Sequence, residues 1–60
     1  MLILEIDGVS NHFKVIDGDN IIVETGFERM NINDGYFKFY SGDYLYEIPE
    51  NKVIVKRKIR

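Results

Sequence analysis

Residues 30–48 read MNINDGYFKFYSGDYLYEI, and this stretch decides the fold. Asp34-Gly35 is a favoured pair for a two-residue type I′ hairpin turn, because both central positions need positive φ. Closing the chain there sets Ile32 opposite Phe37 and Met30 opposite Phe39, with Asn31 opposite Lys38 on the reverse face. A second turn at Gly42-Asp43 sets Phe39 opposite Tyr46 and Phe37 opposite Ile48. On the reverse face it sets Lys38 opposite Glu47 and Tyr40 opposite Leu45. Side chains alternate along a strand, so a register error of one residue would scatter these apolar residues over both faces. Two independent turns instead agree on one inner face, which is stronger evidence than either alone.

Working outward, the Pro49-Glu50-Asn51 turn extends the pattern, with Ile48 opposite Val53 and Tyr46 opposite Val55. The predicted inner face is then Met30, Ile32, Phe37, Phe39, Tyr46, Ile48, Val53 and Val55. Upstream, Asp7-Gly8 predicts a two-residue turn that pairs Ile6 with Val9, Leu4 with Asn11 and Leu2 with Phe13. Ile3, Glu5, Ser10, His12 and Lys14 share the other face. A three-residue loop, Asp17-Gly18-Asp19, pairs Val15 with Ile21 and Phe13 with Val23, whereas a two-residue loop would set Phe13 against Glu24. Gly26 interrupts the long strand-like run Ile21 to Asn33 and predicts a kink there, so that the two hairpin groups fold on each other.

The expected fold is therefore all-β: one domain, residues 1–60, a small antiparallel meander of about six strands, barrel-like or a compact sandwich, bent at Gly26. Ala is absent and Val, Ile, Tyr and Phe dominate, as strands favour. In strand count and length the meander resembles SH3-like small barrels. A chain of 60 residues buries only about 60% of its unfolded surface, which leaves little core. With no cysteine to staple it, self-association, most simply as a dimer, is the expected remedy. The edge strand Val53 to Ile59 offers one route.

Composition removes several function classes. With no Cys there is no disulfide framework and no Cys-ligated metal site. No run reaches the about 20 apolar residues of a membrane helix, and Met1 to Ile6 lacks a basic leader pattern. The expected place of action is the cytoplasm of the producing or host cell, without membrane contact.

Chemistry-bearing clusters are weak. Asp7, Ser10 and His12 are neighbours, but no strained nucleophile turn or oxyanion hole accompanies them, and His12 is expected to face Glu24. Asp17, Asp19 and Asn20 fall short of a calcium loop and match what a turn demands. The expectation is no enzyme, no cofactor and no metal.

The outer face carries more information. Tyr36, Lys38, Tyr40, Leu45, Glu47, Ile54 and Lys56 are predicted to share it, mixing aromatic and aliphatic groups with charges of both signs. Contiguous apolar area with a polar rim marks protein interfaces, where Tyr is enriched. The leading function is thus a stand-alone protein-binding module that acts by surface occupancy. Small virus- or phage-encoded inhibitors of host proteins offer the analogy of size and style.

The alternative is a nucleic-acid-binding small barrel. There Tyr36 and Tyr40 would stack bases while Lys38, Lys56, Arg57, Lys58 and Arg60 hold phosphates. Charge asymmetry bears on this. Residues 1–50 hold all ten acids and three bases, net −7, and residues 51–60 hold five bases and no acid, net +5. The basic tail can pair with the body, a partner or nucleic acid. Conversely, Glu5, Asp7, Asp17, Asp19, Glu24 and Glu28 could present an acidic surface that mimics nucleic acid.

Overall fold

The structure is a computed structural model and describes residues 1–58. Seven strands form: β1 (Leu2–Asp7), β2 (His12–Asp17), β3 (Asn20–Gly26), β4 (Arg29–Asn33), β5 (Tyr36–Ser41), β6 (Tyr44–Pro49) and β7 (Val53–Lys58). They make two sheets, one ordered β3-β2-β1-β7 and the other β4-β5-β6. The all-β expectation holds. The run Ile21 to Asn33 divides at Gly26 into β3 and β4, one in each sheet. At the bend the Phe27 amide donates to the Asn11 carbonyl at 2.9 Å and the Glu28 amide to the Tyr40 carbonyl at 2.8 Å, so the link is tied to both sheets.

The second half follows the predicted register. Ile32 pairs with Phe37, Met30 with Phe39, Phe39 with Tyr46 and Phe37 with Ile48. Asp34 and Gly35 both take positive φ, 54° and 80°, as a type I′ turn requires. The Glu28 carboxylate accepts from the Gly42 amide at 2.7 Å and holds the next turn.

The first hairpin departs from expectation. Its loop has four residues, Gly8 to Asn11, and Ile6 pairs with Phe13 rather than Val9. Asp7 supplies the reason: its carboxylate accepts the Val9 and Ser10 amides at 2.9 and 3.2 Å, and Asn11 closes the loop at φ 53°. The longer loop sets Leu4 against Val15 instead of Asn11 and leaves Val9 in solvent. The displacement is four residues along β2, an even number, so the residues of β1 and β2 keep their predicted faces.

The second turn also differs. Asp17 pairs with Asn20 across a two-residue Gly18-Asp19 loop, with Gly18 at positive φ in the first central position as in a type II′ turn. A bulge then leaves Ile22 unpaired, so Val15 lies opposite Val23 and Phe13 opposite Thr25 in place of the expected Ile21 and Val23, and Ile21 falls opposite Ile16 on the outer face. The bulge keeps Val23 on the inner side, as the three-residue loop would have, but turns Ile21 outward.

The largest correction concerns β7. It does not pair with β6, so the Ile48–Val53 and Tyr46–Val55 contacts are not formed as ladder pairs. Pro49 ends β6, a short 3₁₀ turn (Glu50–Lys52) carries the chain across, and β7 lies parallel to β1. The match with β1 is better chemistry. Val53 meets Leu2 and Val55 meets Leu4 on one face, while Lys56 meets Glu5 and Lys58 meets Asp7 on the other. Against β6 the same lysines would have faced Leu45 and Asp43.

The core lies between the sheets: Leu4, Ile6, Phe13 and Val15 from one, Phe37, Phe39 and Ile48 from the other. Phe13 and Phe39 stack at its centre, 4.0 Å apart with rings 13° from parallel. Met30, Tyr46 and Val53 pack half-buried against it. Ile32 and Val55, predicted inside, are exposed, since they sit on the edge strands β4 and β7.

Candidate functional site

The hairpin registers of β4, β5 and β6 place three rows on the outer face of the smaller sheet. They are Arg29–Tyr40–Leu45, Asn31–Lys38–Glu47 and Asn33–Tyr36–Pro49. Five of the predicted residues, Tyr36, Lys38, Tyr40, Leu45 and Glu47, therefore come together. The Lys38 ammonium lies 3.7 Å from the Glu47 carboxylate, and the lysine side chain is only 18% exposed. It stands between Tyr36 and Tyr40 on β5, so its charge is neutralised and its stem covered. Leu45 and Tyr36 are exposed beside it.

Arg29 belongs to this face, and sequence reasoning passed it over. Its guanidinium lies over the Tyr40 ring, 4.3 Å from the centroid, a cation–π contact. The signal was present: the Asp34-Gly35 register that pairs Met30 with Phe39 also pairs Arg29 with Tyr40.

Ile54 and Lys56 do not join this face. They lie on the outer face of the larger sheet, because β7 pairs with β1. There Glu5 meets Lys14 at 3.8 Å and Lys56 at 3.7 Å, Lys58 meets Asp7 at 3.7 Å and His12 meets Glu24 at 3.7 Å. These groups surround an open depression of about 390 Å³. Lys56 and Lys58 of the basic tail thus pair with the acidic body; Ile59 and Arg60 lie outside the described residues. Asp7 is engaged by its own loop and Lys58, and His12 by Glu24, so the Asp7, Ser10 and His12 neighbours are held in separate contacts. Among the described residues, no three His, Asp or Glu side chains gather as metal ligands.

The Ser10 amide, opposed by partial desolvation and helped by the Val9 amide, the Ser10 hydroxyl and Lys58, holds the Asp7 carboxyl below the usual carboxylate range. Its stabilising effect is complete above the unfolded-chain value of about 3.9 and fades as pH falls through the lower folded-state value. Asp7→Asn is therefore expected to melt below wild type at pH 7, with the gap closing under about pH 4. Thermal melts across that range check it; a gap independent of pH would mean that loop geometry, not charge, is what Asp7 supplies.

Fold and surfaces together define a small two-sheet β protein with two chemically distinct outer faces. Compared with protein-family models, curated proteins and solved structures, the chain matches none.

Proposed function

We propose that the chain is a protein-binding module that acts by occupying a partner's surface rather than by catalysis. The face of Tyr36, Lys38, Tyr40 and Leu45, rimmed by Arg29 and Glu47, carries the reading. Its centre is aromatic and aliphatic, its one central charge is paired and largely covered, and its rim is polar. That is the anatomy of a protein interface, depleted of free charge at the centre and enriched in Tyr and Arg. An inhibitor of a host protein, small and virus- or phage-encoded, working in the cytoplasm, is the form of module that its size suits. No helix among the described residues is long and apolar enough to cross a membrane. Self-association belongs to the same proposal, since so short a chain has little core.

Pull-down from the native host with the wild-type chain tests the reading, with Tyr40→Ala as control. Nucleic acid is the competing partner. The closeness of Lys56 to Glu5 and of Lys58 to Asp7 weighs against it, because the carboxylates beside these lysines repel phosphate. Labelled single- and double-stranded nucleic acid at low salt is expected to give no saturable binding. Tight binding that weakens steeply with salt would replace the protein-partner reading.

A further inference from the structure

The outer face of the larger sheet carries a pattern that appears only once all four strands are in register. Ile54 pairs with Ile3, Ile3 with Ile16 and Ile16 with Ile21. One isoleucine from each strand thus forms an unbroken row about 14 Å across, three strand spacings of about 4.8 Å. Ile54 and Ile21 are 48% and 55% exposed, and Ile3 and Ile16 are half-buried. The next row toward the other end of the sheet is Lys56–Glu5–Lys14–Glu24, and beyond it Lys58–Asp7–His12–Gly26.

The charged row alternates in sign and has an even number of members. Read from β7 to β3 it runs plus, minus, plus, minus; read backwards it is its own complement. A two-fold axis along the strands, between β1 and β2, turns a second copy over so that each row meets its own reverse. Lys56 then faces Glu24 of the second copy, and Glu5 faces Lys14 of the second copy. Ile54 falls on Ile21 and Ile3 on Ile16, while Asp7 falls on His12. A two-fold axis across the strands does the opposite: laid on the charged row it sets Lys56 on Lys56, and laid on the isoleucine row it carries the charges apart. Sheets pack face to face with strand directions within about 30°, which the first axis satisfies.

We propose that the outer face of β3-β2-β1-β7 is an isologous dimer interface, with the isoleucine row as its apolar half and the alternating charged row as its register device. This rests on the self-association proposed above and names its surface and symmetry. It leaves the Tyr40 face free, so the dimer presents two copies of that face. A sheet face of about 20 by 22 Å, estimated from strand spacing and rise, buries about 900 Å² in total. That falls below the about 1,200 Å² of stable interfaces and places the dimer in the weak, reversible class.

The test uses charge variants at the two outer strands, which lie on opposite edges of the sheet within one chain. Wild-type chain is expected to approach twice the monomer mass in sedimentation equilibrium between about 10 and about 500 µM. Glu24→Lys and Lys56→Glu alone each create two like-charge contacts per dimer and are expected to raise the dissociation constant about tenfold. Mixed in equal amounts, the two variants are expected to form a heterodimer of near wild-type affinity, because both contacts are then of opposite sign. The Glu5 neighbour of residue 56 is unchanged by mixing, so it cannot produce the recovery. Both positions are exposed, and circular dichroism melts verify that the variants fold. A wild-type chain that stays monomeric at every concentration ends both this interface and the self-association reading. A dimer indifferent to the two charge variants, or one that mixing does not restore, ends this interface alone and leaves pairing through the β7 edge as the route.

Discussion

Phe39→Ala is expected to cost about 3–5 kcal/mol, most of the stability a chain of this length has. The ring is fully buried on β5, the central strand of the smaller sheet. It stacks on Phe13 of the opposite sheet at 4.0 Å and takes the edge of Phe27 at 5.1 Å. Its removal therefore opens a cavity at the centre of the core between the two sheets. Backbone ladders on either side keep the sheets from collapsing into the gap, so the cavity term adds to the lost burial. Phe39→Leu, which keeps most of the volume, is expected to cost less than half as much. Urea unfolding of the three chains measures this. A Phe39→Ala chain as stable as wild type would mean that the Phe13–Phe39 stack does not hold the sheets together.

Tyr40→Ala is expected to weaken partner binding by about 2 kcal/mol, roughly thirtyfold, without unfolding the protein. Tyr40 lies next to Phe39 in sequence but on the opposite face, half-buried, between Arg29 and Leu45. Its ring is the platform for the Arg29 guanidinium, so truncation also frees that charge, at a folding cost of about 0.5–1 kcal/mol. Leu45→Ala is expected to act in the same direction. Lys56→Ala and Lys58→Ala are expected to change partner binding little, because both lysines lie on the outer face of the other sheet, beside Glu5 and Asp7. Calorimetric titration of the captured partner separates the cases. Loss of binding on changing the lysines, with Tyr40→Ala and Leu45→Ala behaving as wild type, would move the functional surface to the basic tail.

The contrast between neighbouring positions 39 and 40 follows from strand alternation and is legible in the sequence. Asp34-Gly35 and Gly42-Asp43 close tight turns whose backbone demands leave one register each. From those two turns came the inner residues Phe37, Phe39 and Ile48 and the outer group Tyr36, Lys38, Tyr40, Leu45 and Glu47. Arg29 was within reach of the same reasoning. The first two hairpins were less legible for a local reason. A side-chain acceptor at Asp7 and a bulge at Ile22 offer the backbone alternatives that turn composition does not distinguish. The inner and outer faces of β1 and β2 were still assigned correctly, because the first error was an even number of residues.

What only the tertiary structure decided was the place of β7. Val53 pairs with Leu2 across some fifty residues of chain, and no turn encodes a contact of that separation. Nearby β6 was the locally obvious partner. The choice of β1 rests on a row-by-row match of apolar with apolar and base with acid that emerges only when both strands are extended side by side. That choice removed Ile54 and Lys56 from the Tyr40 face, set Lys56 and Lys58 beside Glu5 and Asp7, and completed the isoleucine row. By itself the sequence determined what short-range sterics and a two-residue period can carry: the β class, two hairpins and the two sides of the strands, apart from Ile21 on β3, which the bulge turns outward. The neighbour of the last strand depended on packing energy between segments distant in the chain, and the composition of both outer faces depended on that neighbour.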